Sequence, residues 1–250
     1  MIKFVTKPNL PENDVESVAI SVSAGEAIKK LNALSIKTVI VEPDKKLPEG
    51  ISSHADLQLL HLEKNNIIIS SGSEHLFGSL NKLGFEVDIS CELGLNYPDD
   101  VLLNAKLVGK YIMCNKKTVS SKVLDFADKT SLTIIDVKQG YSGCSVCVLN
   151  ENAIITDDKS IFTAAQFFLN DVTLIEKNSI RLKNYNYGFI GGCCGKISKN
   201  RIAFNGSIMS HSDYNKIADA LNRNNIEAVE LHNGVLEDIG GIMPLTEKHP

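Results

Sequence analysis

Apolar and polar positions fall into short blocks that recur along the chain. ADLQLLHL is followed by the polar turn EKNN, then IIIS, then the helical stretch EHLFGSLNKLG, then FEVDI. This order predicts strand, strand, helix, strand, because polar turns separate apolar runs of strand length and the longer segment has helical spacing. VLLNAKLV, the turn GK and YIMCN precede a helical SSKVLDFADK and the strand LTIIDV, repeating the plan. In a third copy CSVCVL, NEN and AIIT lead into DKSIFTAAQFFLN, where Ile161, Ala164, Ala165 and Phe168 share a helical face, and then into VTLIE. The fourth runs FIGGCCGKI, SKN, RIAFNG, a helix through SHSDYNKIADALNRN, and EAVEL. The fifth is split, with GIMPL at the C-terminus and VAISVS, AGEAIKKLNALS and TVIVEP at the N-terminus.

Joining the two ends completes five strand-strand-helix-strand units. Repetition of this kind predicts an α/β ring, residues 1–250 as one domain, with the first strand of each unit lining a central cavity and the helices outside. Stacked neighbours then bury a continuous core and leave few open sheet edges. A doubly wound α/β sheet is the alternative. It calls for strands alternating one-to-one with helices and, in a nucleotide-binding version, a G-x-G-x-x-G turn, which the sequence lacks. No cofactor is therefore expected.

Composition narrows the partners. The 250 residues are 43% hydrophobic and 22% charged, with a net charge of −4 and a pI near 5.9. Lys and Arg are interspersed with acids, so no cationic face for a phosphate backbone is expected, and nucleic acid is excluded as the expected partner. There is no apolar run long enough to cross a bilayer and no signal-like N-terminus, so a cytoplasmic protein is expected. Six cysteines in a chain of this length then suggest reduced thiols rather than a disulfide framework.

Candidate chemistry begins in SSHADLQLLHL. Period-2 alternation puts His54, Asp56 and Gln58 on one strand face and Ala55, Leu57 and Leu59 on the other. Asp56 is a candidate anchor for a cation, or else a cap on the turn after Ser53. His54 is a candidate proton carrier near neutral pH, whereas His61 shares the apolar face and reads as core. Cys144, preceded by Gly143 and flanked by Tyr141 and Ser142, is the candidate nucleophile. Cys193, within GGCCG, and Asp238, in HNGVLEDIGG, are candidate substrate-binding residues at the entrances to the fourth and fifth units. Cys144, Cys147, Cys193 and Cys194 invite a zinc reading, but Cys144 and Cys147 would point to opposite faces of a strand, so no metal is expected. Cys91, Cys114 and Cys147 read as small buried apolar residues. His211-Ser212-Asp213 reads as the start of a helix.

The five-unit plan and the phrases SSHADLQLLHL, KQGYSGCSVCVLNENAIITDD and LEDIGGIMPL resemble a bacterial branch of the pentein superfamily, the guanidino-group-modifying enzyme fold. The resemblance to that branch runs from about Ser52 to Leu245. It implies a cavity in which carboxylates hold a planar guanidino cation through paired hydrogen bonds, a cysteine attacks its central carbon and a histidine moves protons. Asp56 matches the carboxylate of the first unit. Three positions depart from the pattern: Ser142-Gly143-Cys144 stands where Gly-Gly-Asp is usual, FIGGCCGKI has no histidine, and Gly240 and Gly241 stand near the place of the nucleophilic cysteine. The expected partner is thus a small guanidino or amidino compound, acted on by a hydrolase or transferase with Cys144 and His54 in non-standard places. The alternative is a ring without catalysis that binds a macromolecular partner. Oligomeric state is not set by the sequence.

Overall fold

A computed structural model describes residues 2–90 and 92–249. The chain opens with β1 (Lys3–Phe4), β2 (Val15–Ser21), α1 (Gly25–Ala33) and β3 (Lys37–Val41). The first complete unit follows as the short helix α2 (Ala55–Gln58), β4 (Leu59–Glu63), β5 (Asn66–Ile69), α3 (Glu74–Lys82) and β6 (Glu86–Ile89). The second is β7 (Lys106–Val108), β8 (Tyr111–Cys114), α4 (Ser121–Lys129) and β9 (Thr133–Asp136). The third is β10 (Val146–Asn150), β11 (Ala153–Thr156), α5 (Lys159–Ala165) and β12 (Asp171–Leu174). The fourth is β13 (Cys194–Ser198), β14 (Arg201–Phe204), α6 (Tyr214–Arg223) and β15 (Glu227–Glu230), and β16 (Ile242–Glu247) ends the chain.

Each unit pairs its first strand antiparallel with the second and its second parallel with the third. The parallel step needs a crossover, and the helix of the unit supplies it. β16 takes the first-strand place of the fifth unit, antiparallel to β2, which is parallel to β3. The five units and the split fifth are therefore as the sequence pattern predicts. β1, paired antiparallel with the other edge of β16, was not anticipated.

Alternation along each strand feeds two cores. Leu59, Ile67 and Ile69 face Val39, Val41, Leu76 and Leu80, whereas Leu60, Leu62 and Ile68 face Leu107, Ile112 and Val123 of the next unit. The same sharing joins the second unit to the third, the third to the fourth, and the fourth to the fifth. Five interfaces thus close a ring, which explains why the strands read as nearly continuous apolar runs: both faces are covered. Cys114 and Cys147 are buried in these cores, as expected; Cys91 lies outside the described residues.

Two local readings need correction. Residues 55–58 form a helical turn rather than the start of a strand, because the His54 carbonyl accepts from the amides of Leu57 and Gln58 at 3.3 and 3.2 Å. Gln58 locks that turn: its Nε2 donates to the carbonyls of Glu42 and Ser52, and its Oε1 accepts from Ser73. His54 and Asp56 therefore precede β4 and do not share one of its faces. Cys144 likewise lies in the turn before β10, so strand alternation does not relate it to Cys147.

His61 is core, edge-on to Phe85, with Nε2 2.8 Å from the Lys64 carbonyl. Burial pushes its pKa down from 6.5 to about 4. The unfolded chain takes up a proton below 6.5 that the folded state refuses, so stability from neutral imidazole is present above 6.5 and lost as pH falls toward 4. We expect His61→Gln to remove a loss of about 2 kcal/mol between about pH 7 and about pH 5. Urea denaturation of both proteins at the two pH values measures the difference.

Candidate functional site

The turns that enter the five first strands meet at one end of the ring axis. His54 and Asp56 come from the turn before β4, Cys144 from the turn before β10, and Asp238 from the loop before β16. His54 Nδ1 lies 3.7 Å from Asp238 Oδ1 and 4.0 Å from Asp56 Oδ1, and all three side chains are at most 5% exposed. The Asp56 carboxylate lies beside the Cys144 thiol, within its hydrogen-bonding reach, and its oxygens have no other hydrogen-bond partner among the described residues. Asp56 therefore does not cap the turn after Ser53.

Asp238 is held rigidly. Its Oδ1 accepts from the Gly240 amide at 3.0 Å and its Oδ2 from the Phe189 amide at 2.9 Å. Burial and the neighbouring Asp56 raise its pKa from 3.8 to about 6, against His54 and those two amides. Glycines make room for this arrangement. A Cβ at Gly192 would overlap the Asp238 carboxylate, and one at Gly240, where φ is +77°, would overlap His54.

Asn104, overlooked in the sequence, organises the opposite side. Its Oδ1 accepts from the amides of Gly143 and Cys144 at 2.6 and 3.3 Å, while its Nδ2 donates to the Cys144 sulfur at 3.1 Å and the Asp56 carbonyl at 2.9 Å. The repeat contained a signal for it. Asn104 stands two residues before β7, as Cys144 stands two before β10 and Gly240 two before β16. Burial, Asp56 and Asp238 hold the Cys144 thiol well above its ordinary pKa, with the Asn104 amide opposing them.

Above these groups opens a cavity of about 360 Å³, lined by His54, Cys144 and Asp238 at its polar end and by Tyr141, Tyr187 and Phe189 along its wall. Tyr141 donates a short hydrogen bond to Asp100 and stacks on Phe189, with centroids 5.9 Å apart at 22°. Asp56 does not line this cavity. On its other side two gaps of about 20 and 10 Å³, each close to the volume of one water, are shared with Lys106. Inner strands thus fill the axis, and the larger cavity sits at its end rather than along it.

The sequence candidates divide accordingly. His54, Asp56, Cys144 and Asp238 come together. Cys193 does not join them: its thiol donates to the Ile190 carbonyl at 3.2 Å and packs in the core shared by the third and fourth units. His211 sits before α6, where its Nδ1 accepts from the Asp213 amide at 2.9 Å. Asp157 is a further buried acid. Its Oδ2 accepts from the Ile190 amide at 2.8 Å, next to the Phe189 amide that Asp238 holds, and its Oδ1 has no partner.

Three comparisons with known proteins bear on the chain. The family model "Family of unknown function (DUF6873)" matches residues 19–243. No curated protein sequence matches. Among solved structures, the inosamine-phosphate amidinotransferase of Streptomyces griseus aligns with a TM-score of 0.61 at 10% identity, covering 99% of this chain and 98% of its own. An amidinotransferase from Microseira wollei in the saxitoxin biosynthetic pathway aligns with a TM-score of 0.58 at 10% identity over 98% of both chains. Dimethylarginine dimethylaminohydrolase from Pseudomonas aeruginosa, complexed with citrulline, gives 0.56 at 11% identity over 92% and 96%. At such identity these likenesses establish the fold, which is that of the pentein superfamily.

Burial raises the Asp157 pKa from 3.8 to about 8, with Asp238 and Asp158 adding to it against the Ile190 amide and Lys177. A carboxyl with a raised folded pKa favours folding most below 3.8, and that contribution disappears as pH rises toward 8. Asp157→Asn keeps the acceptor for Ile190 and removes this penalty. We expect it to stabilise the fold by roughly 2–4 kcal/mol near pH 8 and by much less near pH 4, as chemical denaturation at both values would measure.

Proposed function

The chain belongs to the family DUF6873 and has the pentein fold, and from that premise we propose that its cavity binds a small guanidinium or amidinium cation. The observation that carries this reading is the buried Asp238 carboxylate at the polar end of a cavity whose described lining residues include no Lys or Arg, with the buried Asp56 carboxylate close to His54 just outside that lining. Burying two acids close together costs free energy that a bound cation offsets. The relatives in solved structures include two amidinotransferases and a dimethylaminohydrolase, which supports a ligand of this class.

The groups also suit chemistry at an amidine carbon. In that reaction the Cys144 sulfur adds to the central carbon, its proton passes to His54, and His54 returns a proton to the departing nitrogen, leaving a thiouronium that water or an amine then resolves. The free protein opposes the first step, because burial and two acids keep the thiol protonated. This specific observation favours the second reading, binding without turnover.

The test is a thermal-shift series with arginine, agmatine, creatine and simple amidines on the wild type, Asp238→Asn and Asp56→Ala. A ligand present at about a hundredfold its Kd should raise the wild-type Tm by about 5 °C or more and leave Asp238→Asn unmoved. Equal shifts in wild type and both variants would remove the site from the cavity. Because Asp238 titrates near 6, affinity should rise with pH through that value and fall by up to about tenfold for each unit below it. Calorimetric titration across this range checks the slope. Cys144 should alkylate slowly at neutral pH in the free protein, and rapid loss of its thiol signal by mass spectrometry would contradict the quiet-thiol account.

A further inference from the structure

The wall of the cavity carries information about the rest of the ligand, beyond the cationic head. Away from Asp238 the lining is mostly apolar and aromatic, with Leu57, Tyr141, Tyr185, Tyr187 and Phe189, and it includes the neutral amide side chains of Gln139 and Asn186. Tyr141 and Phe189 form a near-parallel pair, and Tyr187 stands edge-on to Phe189 with centroids 5.7 Å apart at 82°. Tyr97 lies behind Tyr141 at 6.2 Å, so the aromatic surface is supported from outside. Its backbone is fixed as well, since Asp238 and Asp157 hold the successive amides of Phe189 and Ile190.

The cations nearest this wall are already engaged. Lys177 lies 5.8 Å from the Tyr187 ring centroid and pairs with Asp158 at 3.3 Å. Lys183 pairs with Glu49 at 2.8 Å and lines a separate cavity on the far side of His54. A carboxylate brought into the aromatic cavity would meet Asp238 at one end and no described Lys or Arg along the wall, losing its hydration with only neutral groups such as Gln139 and Asn186 in exchange and no cation to balance its charge. An apolar planar group would gain contact with ring faces and edges, and a delocalised cation on the same molecule would gain from ring quadrupoles. The volume of about 360 Å³ lies within the range in which small organic ligands are enclosed.

Building on the cation reading above, we propose that this cavity selects a guanidinium or amidinium bearing an apolar, planar substituent and no carboxylate, and that it discriminates against amino acids such as arginine. The aromatic wall sets the specificity, and the buried acids set the charge.

Three probes test it on the wild-type protein by isothermal titration: phenethylguanidine, arginine, and phenethylurea, which keeps the shape of the first without its charge. Phenethylguanidine should bind at least about tenfold tighter than arginine, a ratio within the reach of ring contacts and one avoided desolvation, and phenethylurea should not bind measurably. Phe189→Ala should reduce the preference for phenethylguanidine over unsubstituted guanidine. Arginine binding as tightly as phenethylguanidine, with phenethylurea silent, would overturn the aromatic selection and leave the cation reading standing. Phenethylurea binding as well as phenethylguanidine would overturn the cation reading, and failure of all three to bind would overturn both.

Discussion

Pairing of β16 with β2 closes the ring, and the location of every chemical group follows from that closure. The C-terminal strand supplies the first-strand place that the N-terminal segment lacks, so five entry turns, rather than four, converge at the end of the axis. Asp238 reaches the site from the loop that leads into this strand, four residues before its start. The Gly240 carbonyl accepts from the Asp56 amide at 3.1 Å, joining the last entry turn directly to the first. Sheet closure and site assembly are therefore one event: a change that freed β16 would remove Asp238 and loosen the turn carrying His54 and Asp56.

The ring was legible in the sequence because its signal is repeated. Each sheet contributes to two cores, so each unit must carry the same apolar pattern, and five weak copies reinforce one another. His61 was legible as core for a related reason, lying within an uninterrupted apolar run. What alternation does not encode was harder to read. Residues 55–58 look like the start of a strand, yet Gln58, bonded to groups from three other segments, holds them as a turn. That register depends on tertiary partners. Asn104 was missed because a lone asparagine between apolar segments resembles turn filler, and its role depends on two backbone amides brought close by a different unit. Comparing the entry turns at equal offsets before each first strand would have found it.

The departures from the usual pentein pattern have a physical logic. Gly240, near the place where a nucleophilic cysteine is expected, has no space for a side chain because His54 occupies it, and Gly192 is similarly filled by Asp238. Restoring a cysteine at 240 would require His54 to move and a side chain to adopt a φ of +77°. The glycines are part of an alternative packing in which histidine and acid come from entry turns different from the expected ones. Cys144, two residues before β10, is then a sulfur that faces both Asp56 and Asp238.

That alternative packing also sets the behaviour of the sulfur. Asp238 and Cys144 are both buried close to Asp56, so ionising either of them is opposed by burial and by that neighbouring acid. Asp238 responds with a pKa raised to about 6 and Cys144 with one raised well above its ordinary value. Near neutral pH the ionised Asp238 leaves net negative charge at the closed end of an apolar cavity, with the Asn104 amide opposing it at the sulfur. A cation of the proposed kind seated there would relieve the repulsion among the acids and lower the barrier to ionising the thiol through the same interaction. On the function proposed above, affinity for a cation and quiescence of Cys144 in its absence would be two consequences of a single charge imbalance, and a substitution that neutralises Asp238 should weaken the first while relaxing the second.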